Sequence, residues 1–122
     1  MIRRFWRQVG GTLIEEFPVV AASPTAGPRR LDAVIIPDGP HRIAKWRDVT
    51  LKGKDIIVVQ AKAKRLGMYL MGQAVFSAQL AKRFGPASVR SVALCTKDDS
   101  ELRPLLVSYP GVEVVVLPAQ GT

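Results

Sequence analysis

The most informative segment of this sequence is DIIVVQAK, residues 55–62. Its four consecutive branched aliphatic residues are typical of a strand that is buried on both faces, at the centre of an α/β sheet. The segment then becomes polar at Gln60 and Lys62, which lie on the same side of the strand because side chains alternate between its two faces. We therefore expect a central strand that ends in a polar site.

The remainder of the chain alternates between helical and strand patterns. We predict helices over residues 2–9, 68–84 and 98–108, and further strands over 12–20, 31–36, 89–96 and 112–117. The mixed, basic segment 41–54 is interpreted as a loop or a short pair of strands. The order α, β, β, β, α, β, α, β predicts one α/β domain over residues 1–122, with helices on both faces of a mixed sheet.

Two local patterns add detail to this prediction. Apolar residues recur at helical spacing in the segment 68–84 and predict the side that faces the core, namely Tyr69, Val75, Phe76, Leu80 and Phe84. Pro18 interrupts the strand 12–20, which predicts a bulge or an edge position because proline lacks the N–H of a ladder hydrogen bond.

Composition limits the classes of function. The 122 residues carry a net charge of +8, and residues 1–97 hold 17 basic and 6 acidic side chains. Such an excess favours contact with a polyanion, either nucleic acid or an anionic membrane. The single cysteine, Cys95, excludes a disulfide framework and a cysteine-rich zinc site, and we expect it to be buried. Without a long apolar run or a secretory signal, we expect a cytoplasmic protein with no membrane partner.

An aspartate within an apolar strand indicates a possible cation site. Asp32 lies in LDAVII, where an unpaired buried carboxylate would be costly. Magnesium accepts such oxygen ligands, and we expect the Asp32 carboxylate, the Gln60 amide oxygen and the Ala61 backbone carbonyl to hold it. Lys62 would orient the attacking water and stabilise charge on a phosphate. The alternatives are an Asp32 paired with Arg29 or Arg30, and a strand that simply ends in solvent.

These residues resemble the PD-(D/E)XK nuclease superfamily, with Asp32 as the first aspartate and Gln60-Ala61-Lys62 as the (D/E)XK element. The resemblance covers roughly residues 2–96 and implies a restriction-endonuclease-like αβββαβ core, here with a C-terminal αβ extension. It also implies hydrolysis of phosphodiester bonds with Mg²⁺ or Mn²⁺, in DNA rather than RNA and with weak intrinsic sequence specificity. Two positions depart from the motif: Leu31 stands where proline is usual, and Gln60 replaces the acid.

The resemblance further implies two supporting site residues. Glu16 is the candidate for an additional glutamate, with Glu15 second, and Gln73 is the candidate for a polar residue on the following helix. Phosphate contacts are assigned to Arg30, Lys64 and Arg65, for which a solvated basic loop is the alternative. A chain this short covers little duplex, so we expect a homodimer or a partner protein that supplies specificity. The competing class is a nuclease-like module that binds nucleic acid without cutting it.

Overall fold

The computed structural model describes residues 1–120 and contains all the predicted helices and strands. Their bounds are α1 Ile2–Val9, β1 Thr12–Val20, β2 Arg29–Ile36, β3 Arg42–Ala44, β4 Asp55–Arg65, α2 Met68–Lys82, β5 Ser88–Lys97, α3 Leu102–Val107 and β6 Val112–Val116. The segment 41–54 forms one short strand, β3, followed by a 3₁₀ turn at Trp46–Asp48. None of the helices within residues 1–120 is long and apolar enough to cross a membrane.

The six strands form one mixed sheet in the order β3-β1-β2-β4-β5-β6. The β1–β2 and β2–β4 pairs are antiparallel, whereas β1–β3, β4–β5 and β5–β6 are parallel. β4 lies inside the sheet and is buried from Ile56 to Gln60, as its aliphatic run predicts. The α/β class with a mixed sheet is therefore confirmed.

Helices cover both faces of the sheet. On one face, Phe5 and Trp6 of α1 pack against a layer that includes Ile57, Val59 and Val92. On the other, α2 and α3 pack against β5 and β6, where Cys95 is buried as expected. This two-sided cover explains why β4 is apolar on both faces rather than alternating.

The orientation predicted for α2 is wrong. Its buried residues are Leu70 and four small ones, Ala74, Ser77, Ala78 and Ala81, while Tyr69 is 74% exposed and Phe76 is 68% exposed. Small side chains allow the helix backbone to approach the sheet closely, which the bulkier aromatic side would prevent. Phe84, beyond the helix, packs edge-on against Phe17 with ring centroids 5.2 Å apart.

The predicted start of α3 is also wrong, because residues 98–101 form a capping turn. The Asp99 carboxylate accepts hydrogen bonds from the backbone N–H groups of Glu101 and Leu102, each at 2.9 Å. These bonds satisfy donors that a helix leaves unpaired at its N-terminus. The acidic residues thus precede the six-residue helix instead of forming its first turn.

Two irregularities lie at one end of the sheet. The β1–β2 register shifts between Pro18 and Val20, which confirms the bulge that Pro18 predicts. The β2–β4 ladder consists of only three residue pairs and ends at Ala33–Val59. Beyond that pair β4 continues beside β5 alone, so a cleft opens between β2 and β4.

Candidate functional site

Asp32 lies where the β2–β4 ladder ends. Its Oδ2 accepts a hydrogen bond of 2.9 Å from the backbone N–H of Ala61, so the carboxylate takes the place of the next ladder partner. Asp32 forms no ion pair with Arg29 or Arg30 in the described chain. The structure therefore brings the aspartate directly to the Gln60-Ala61-Lys62 segment, although the two are 29 residues apart in sequence.

Gln60 is the most buried of the predicted site residues, with 3% of its surface exposed. Its amide Nε2 donates a 2.6 Å hydrogen bond to the Ser77 hydroxyl on α2. A second bond between the sheet and α2 is donated by the Ser91 hydroxyl of β5 to the Ala74 backbone carbonyl, at 2.6 Å. Gln60 thus ties the central strand to the helix, and its amide oxygen is the remaining acceptor.

The basic side chains after Gln60 are exposed and lie around one small cavity. Lys62 places its Nζ 5.4 Å from the centre of the Tyr69 ring, a cation–π contact. Lys62, Lys64, Arg65 and Tyr69 all line this cavity of about 230 Å³. Arg65 also donates a 2.7 Å hydrogen bond to the backbone carbonyl of Asp98, which fixes its direction. The structure therefore groups three of the predicted basic residues.

The two glutamates of β1 have different environments. Glu15 accepts a 2.8 Å hydrogen bond from Arg3 of α1, and this bond raises the pKa of the Arg3 guanidinium. Glu16 is exposed and has a φ of 55°, in the left-handed region that non-glycine residues rarely adopt. It lies between the pairs Glu15–Ala33 and Phe17–Leu31, so it stands at the strand position opposite Asp32. Strained backbone of this kind is concentrated at functional sites.

A cavity beside α2, which we term the α2 cavity, opens on the cleft between β2 and β4. Its volume is about 460 Å³ and its lining includes Arg30, Leu31, Gln60, Tyr69, Gln73 and Phe76. Gln73 has a buried Oε1 with no hydrogen-bond partner in residues 1–120. Gln60 and Gln73 therefore both line the α2 cavity, whereas Asp32 does not line it and turns its carboxylate to Ala61.

Glu16 lies in a neighbouring cavity rather than in the α2 cavity. That space, of about 420 Å³, is lined by Glu15, Glu16 and Trp46, among others. Arg30 lines both cavities and so lies between them. Asp32 is thus bonded to Ala61, which stands between Gln60 and Lys62 in β4. The side chains of Glu16, Gln73 and Lys62 each line a different cavity.

The oxygen atoms of Asp32, Gln60 and Ala61 are the kind of ligands that a hard divalent cation accepts. Within residues 1–120 no three His, Cys, Asp or Glu side chains cluster in a way that could hold a metal. Magnesium, however, is commonly held by one or two carboxylates with waters and substrate phosphate. Asp32 supplies one carboxylate beside the Ala61 peptide. The Gln60 amide and the Ala61 carbonyl would add neutral oxygen ligands of the kind that such an ion accepts.

Two residues of the site were not predicted from the sequence. Ser77 orients Gln60, and its signal was present: it is the one hydroxyl among Ala74, Ala78 and Ala81 on the small-residue side of α2. Tyr69, assigned to the core, instead contacts Lys62 and separates two cavities. No sequence pattern distinguishes that position from a core aromatic, since both recur at helical spacing.

The fold and this site define a six-stranded mixed α/β protein with a polar cleft between its two central strands. Comparison with models of protein families, with curated proteins and with solved structures finds no match for the chain. Its function must therefore be argued from the site itself.

Proposed function

We propose that this chain is a metal-dependent nuclease that hydrolyses phosphodiester bonds in DNA. The observation that carries the proposal is the 2.9 Å hydrogen bond from Ala61 N–H to Asp32 Oδ2, because it joins an isolated strand carboxylate to the Gln60-Ala61-Lys62 segment. The antiparallel β1–β2–β4 order and the parallel β4–β5 pair, with α2 between them in sequence, are compatible with a restriction-endonuclease-like core. Basic residues around the cleft suit a polyanionic substrate.

Each residue has a distinct role in this proposal. Asp32, the Gln60 amide oxygen and the Ala61 carbonyl hold Mg²⁺ or Mn²⁺, which when bound supplies Lewis-acid polarisation of a phosphate oxygen. Lys62 orients the attacking water and stabilises the negative charge that develops on the phosphate in the transition state. Glu16 is the additional carboxylate at the site, and Gln73 positions substrate from α2. Arg30, Lys64 and Arg65 hold flanking phosphates.

The decisive experiment measures cleavage of plasmid, linear and single-stranded DNA, and of RNA of the same sequence, with Mg²⁺, with Mn²⁺ and with chelator. We expect metal-dependent cleavage of DNA, with weak sequence preference. Asp32→Asn and Lys62→Ala should each slow it by about 10²-fold or more, as for loss of one transition-state contact. Asp38→Asn and Lys52→Ala change exposed residues of the same types elsewhere and should leave the rate unchanged.

Cleavage that persists at the wild-type rate in Lys62→Ala would overturn the catalytic assignment. Circular dichroism of each variant separates loss of chemistry from loss of fold. With only one or two carboxylates as protein ligands, the metal should be removed by dialysis against chelator. Activity that survives this dialysis would contradict the metal requirement.

A second candidate function is a nuclease-like module that binds nucleic acid without cutting it. The observation in its favour is the Gln60–Ser77 bond, since a buried, neutral amide that ties β4 to α2 has a structural role without any metal. DNA binding in chelator, with no cleavage under either metal, would favour this function over the nuclease.

A further inference from the structure

The exposed side of α2 carries large apolar side chains that border the α2 cavity. Met68, Tyr69 and Phe76 are between 68% and 75% exposed. Tyr69, Gln73 and Phe76 follow the spacing of one helix side, so they stand above each other along the cavity wall. Such a concentration of exposed aromatic surface beside a polar cleft indicates a binding site rather than a free surface.

A gap separates the two aromatic side chains. Their Cα positions are about 10 Å apart along the helix axis, at 1.5 Å per residue. Gly72 lies between them, and a Cβ added there would meet no heavy atom within 4 Å. Gln73 also lies between them on this side of the helix, so the open space is beside it, at Gly72. A flat ring can enter there and contact an aromatic side chain.

The cavity also offers hydrogen bonding in its depth. The buried Oε1 of Gln73 has no partner in residues 1–120, and a buried acceptor without a donor destabilises the folded protein. Gln73 lines the cavity, so a rotation of its side chain would present this acceptor to an amino group on a bound ring. With a volume of about 460 Å³, the cavity is within the range typical of sites for small flat ligands.

The charges around the cavity are those of an anion-binding surface. Arg29 and Arg30 lie at its rim, and on the far side of Tyr69 the small cavity holds Lys62 and Lys64. No carboxylate lines either cavity within the described part of the chain. Tyr69 thus stands between a place for an aromatic ring and a place for phosphate.

We propose that the α2 cavity holds an unstacked base of single-stranded DNA, whose phosphates lie on Lys62 and Lys64. This proposal rests on the proposed function, which makes DNA the substrate. It adds that the protein binds single strands in preference to duplex. In duplex DNA the bases are stacked and cannot enter the gap between Tyr69 and Phe76. An aromatic platform beside a basic track is the usual way in which proteins bind single strands.

The test is an anisotropy titration in chelator, so that binding is measured without cleavage. The probes are a labelled single strand of about 12 nucleotides without self-complementarity, its blunt duplex, and an abasic strand of the same charge. We expect the single strand to bind on the order of tenfold more tightly than the duplex and the abasic strand. Phe76→Ala and Tyr69→Ala should remove most of that difference, as expected for a lost stacking contact.

Tyr109→Ala is the matched control, because Tyr109 is 52% exposed but lies beside β6, away from the cleft. Its affinity for the single strand should equal that of the wild type. Equal affinities of wild type for the single strand and the abasic strand would overturn the proposal. Sedimentation of wild type and Phe76→Ala provides a second check. If the wild type is a dimer, and Phe76→Ala is a monomer with unchanged affinity for the single strand, the exposed side of α2 contacts a second copy of the chain. That result would also overturn the proposal.

The two proposals fail separately. Selective binding of the single strand that depends on Phe76, without cleavage under any metal, would reject the nuclease and support the base-binding cavity. Metal-dependent cleavage without any preference for single strands would retain the nuclease and reject the cavity's assignment.

Discussion

Glu16 combines a left-handed backbone conformation with a proposed role as an additional carboxylate of the site. A left-handed conformation in a strand costs a non-glycine residue about 1–3 kcal/mol, which the surrounding structure must offset. Its neighbour Glu15 has an ordinary strand partner and a bond to Arg3. The strain thus falls on the glutamate that stands opposite Asp32.

Replacing Glu16 with glycine separates stability from function. Because glycine adopts positive φ without steric cost, we expect Glu16→Gly to have a midpoint of urea unfolding equal to or higher than that of the wild type. We also expect this variant to lose cleavage activity. Glu15→Gly removes the Arg3 bond and places glycine in a regular strand position, so it should lower the free energy of unfolding by about 1 kcal/mol. A fully active Glu16→Gly protein would remove Glu16 from the site.

Cys95 gives a pH dependence that is independent of the site. Burial raises the pKa of its thiol, so the folded state favours the neutral form. This contribution to stability is complete below the pKa of the unfolded chain and is lost as pH rises through that of the folded chain. The free energy of unfolding of the wild type should therefore fall more steeply than that of Cys95→Ala between about pH 8 and 10. Parallel urea titrations at each pH measure it, and parallel curves would contradict it.

At the scale of elements, the contact between β4 and α2 links fold and site. The Gln60–Ser77 and Ser91–Ala74 bonds lie among small residues, so the helix is held by two polar contacts as well as by packing. These bonds fix the side of α2 that faces the sheet. They consequently also determine that Tyr69 and Phe76 face outward.

Gln60→Glu tests whether this contact lies beside a cation. It places a carboxylate in a buried position, and we expect a loss of about 1–3 kcal/mol in the free energy of unfolding without metal. Added Mg²⁺ should recover part of that loss, because an ion that binds only the folded state stabilises it. Gln79→Glu, on the exposed side of α2, should show neither effect. A melting temperature of Gln60→Glu that does not respond to Mg²⁺ would place no cation at Gln60.

The strands were predictable from the sequence because their signals are local. A run of four branched aliphatic residues such as 56–59 is typical of a strand buried on both faces. Pro18 lacks the N–H of a ladder hydrogen bond and therefore predicts a bulge or an edge position in its own strand. The orientation of α2 was not predictable, since the helix has both an aromatic side and a small-residue side. The small-residue side is buried because it allows the helix backbone to approach the sheet closely. Asp32, Gln60 and Lys62 were candidates from the sequence because each interrupts an apolar strand. The exposed position of Tyr69 between two cavities could not be predicted, because only the folded chain forms those cavities.

At the scale of the whole molecule, the excess of basic charge lies within residues 1–97, which hold 17 basic and 6 acidic side chains. Residues 98–122 hold four acidic side chains and one arginine. Two of these acids form exposed ion pairs at the β5–β6 side, Arg103–Asp98 and Arg90–Glu113. The Arg103 hydrogen bond lowers the pKa of Asp98, although such exposed pairs contribute little to stability. The basic residues of the cleft therefore remain available to a polyanion.

Salt dependence should report which basic residues contact DNA. Affinity falls with salt because phosphate contacts release counterions, so the logarithm of the binding constant decreases linearly with the logarithm of salt concentration. We expect Lys64→Ala to reduce the slope by about one unit and Lys52→Ala to leave it unchanged. An unchanged slope for Lys64→Ala would remove Lys64 from the interface.

The short ladder between β2 and β4 has a consequence for ligand binding. β1–β2 share seven residue pairs and β4–β5 share nine, whereas only three pairs join the two halves of the sheet. The two halves of the sheet, β3-β1-β2 and β4-β5-β6, are therefore hydrogen-bonded to each other at one end only, and the apolar layer under α1, which includes Ile35 of β2 and Ile57 of β4, supplies further contact between them. A ligand in the cleft would lie where β2 and β4 no longer pair with each other, so its binding need break no hydrogen bond of the β2–β4 ladder.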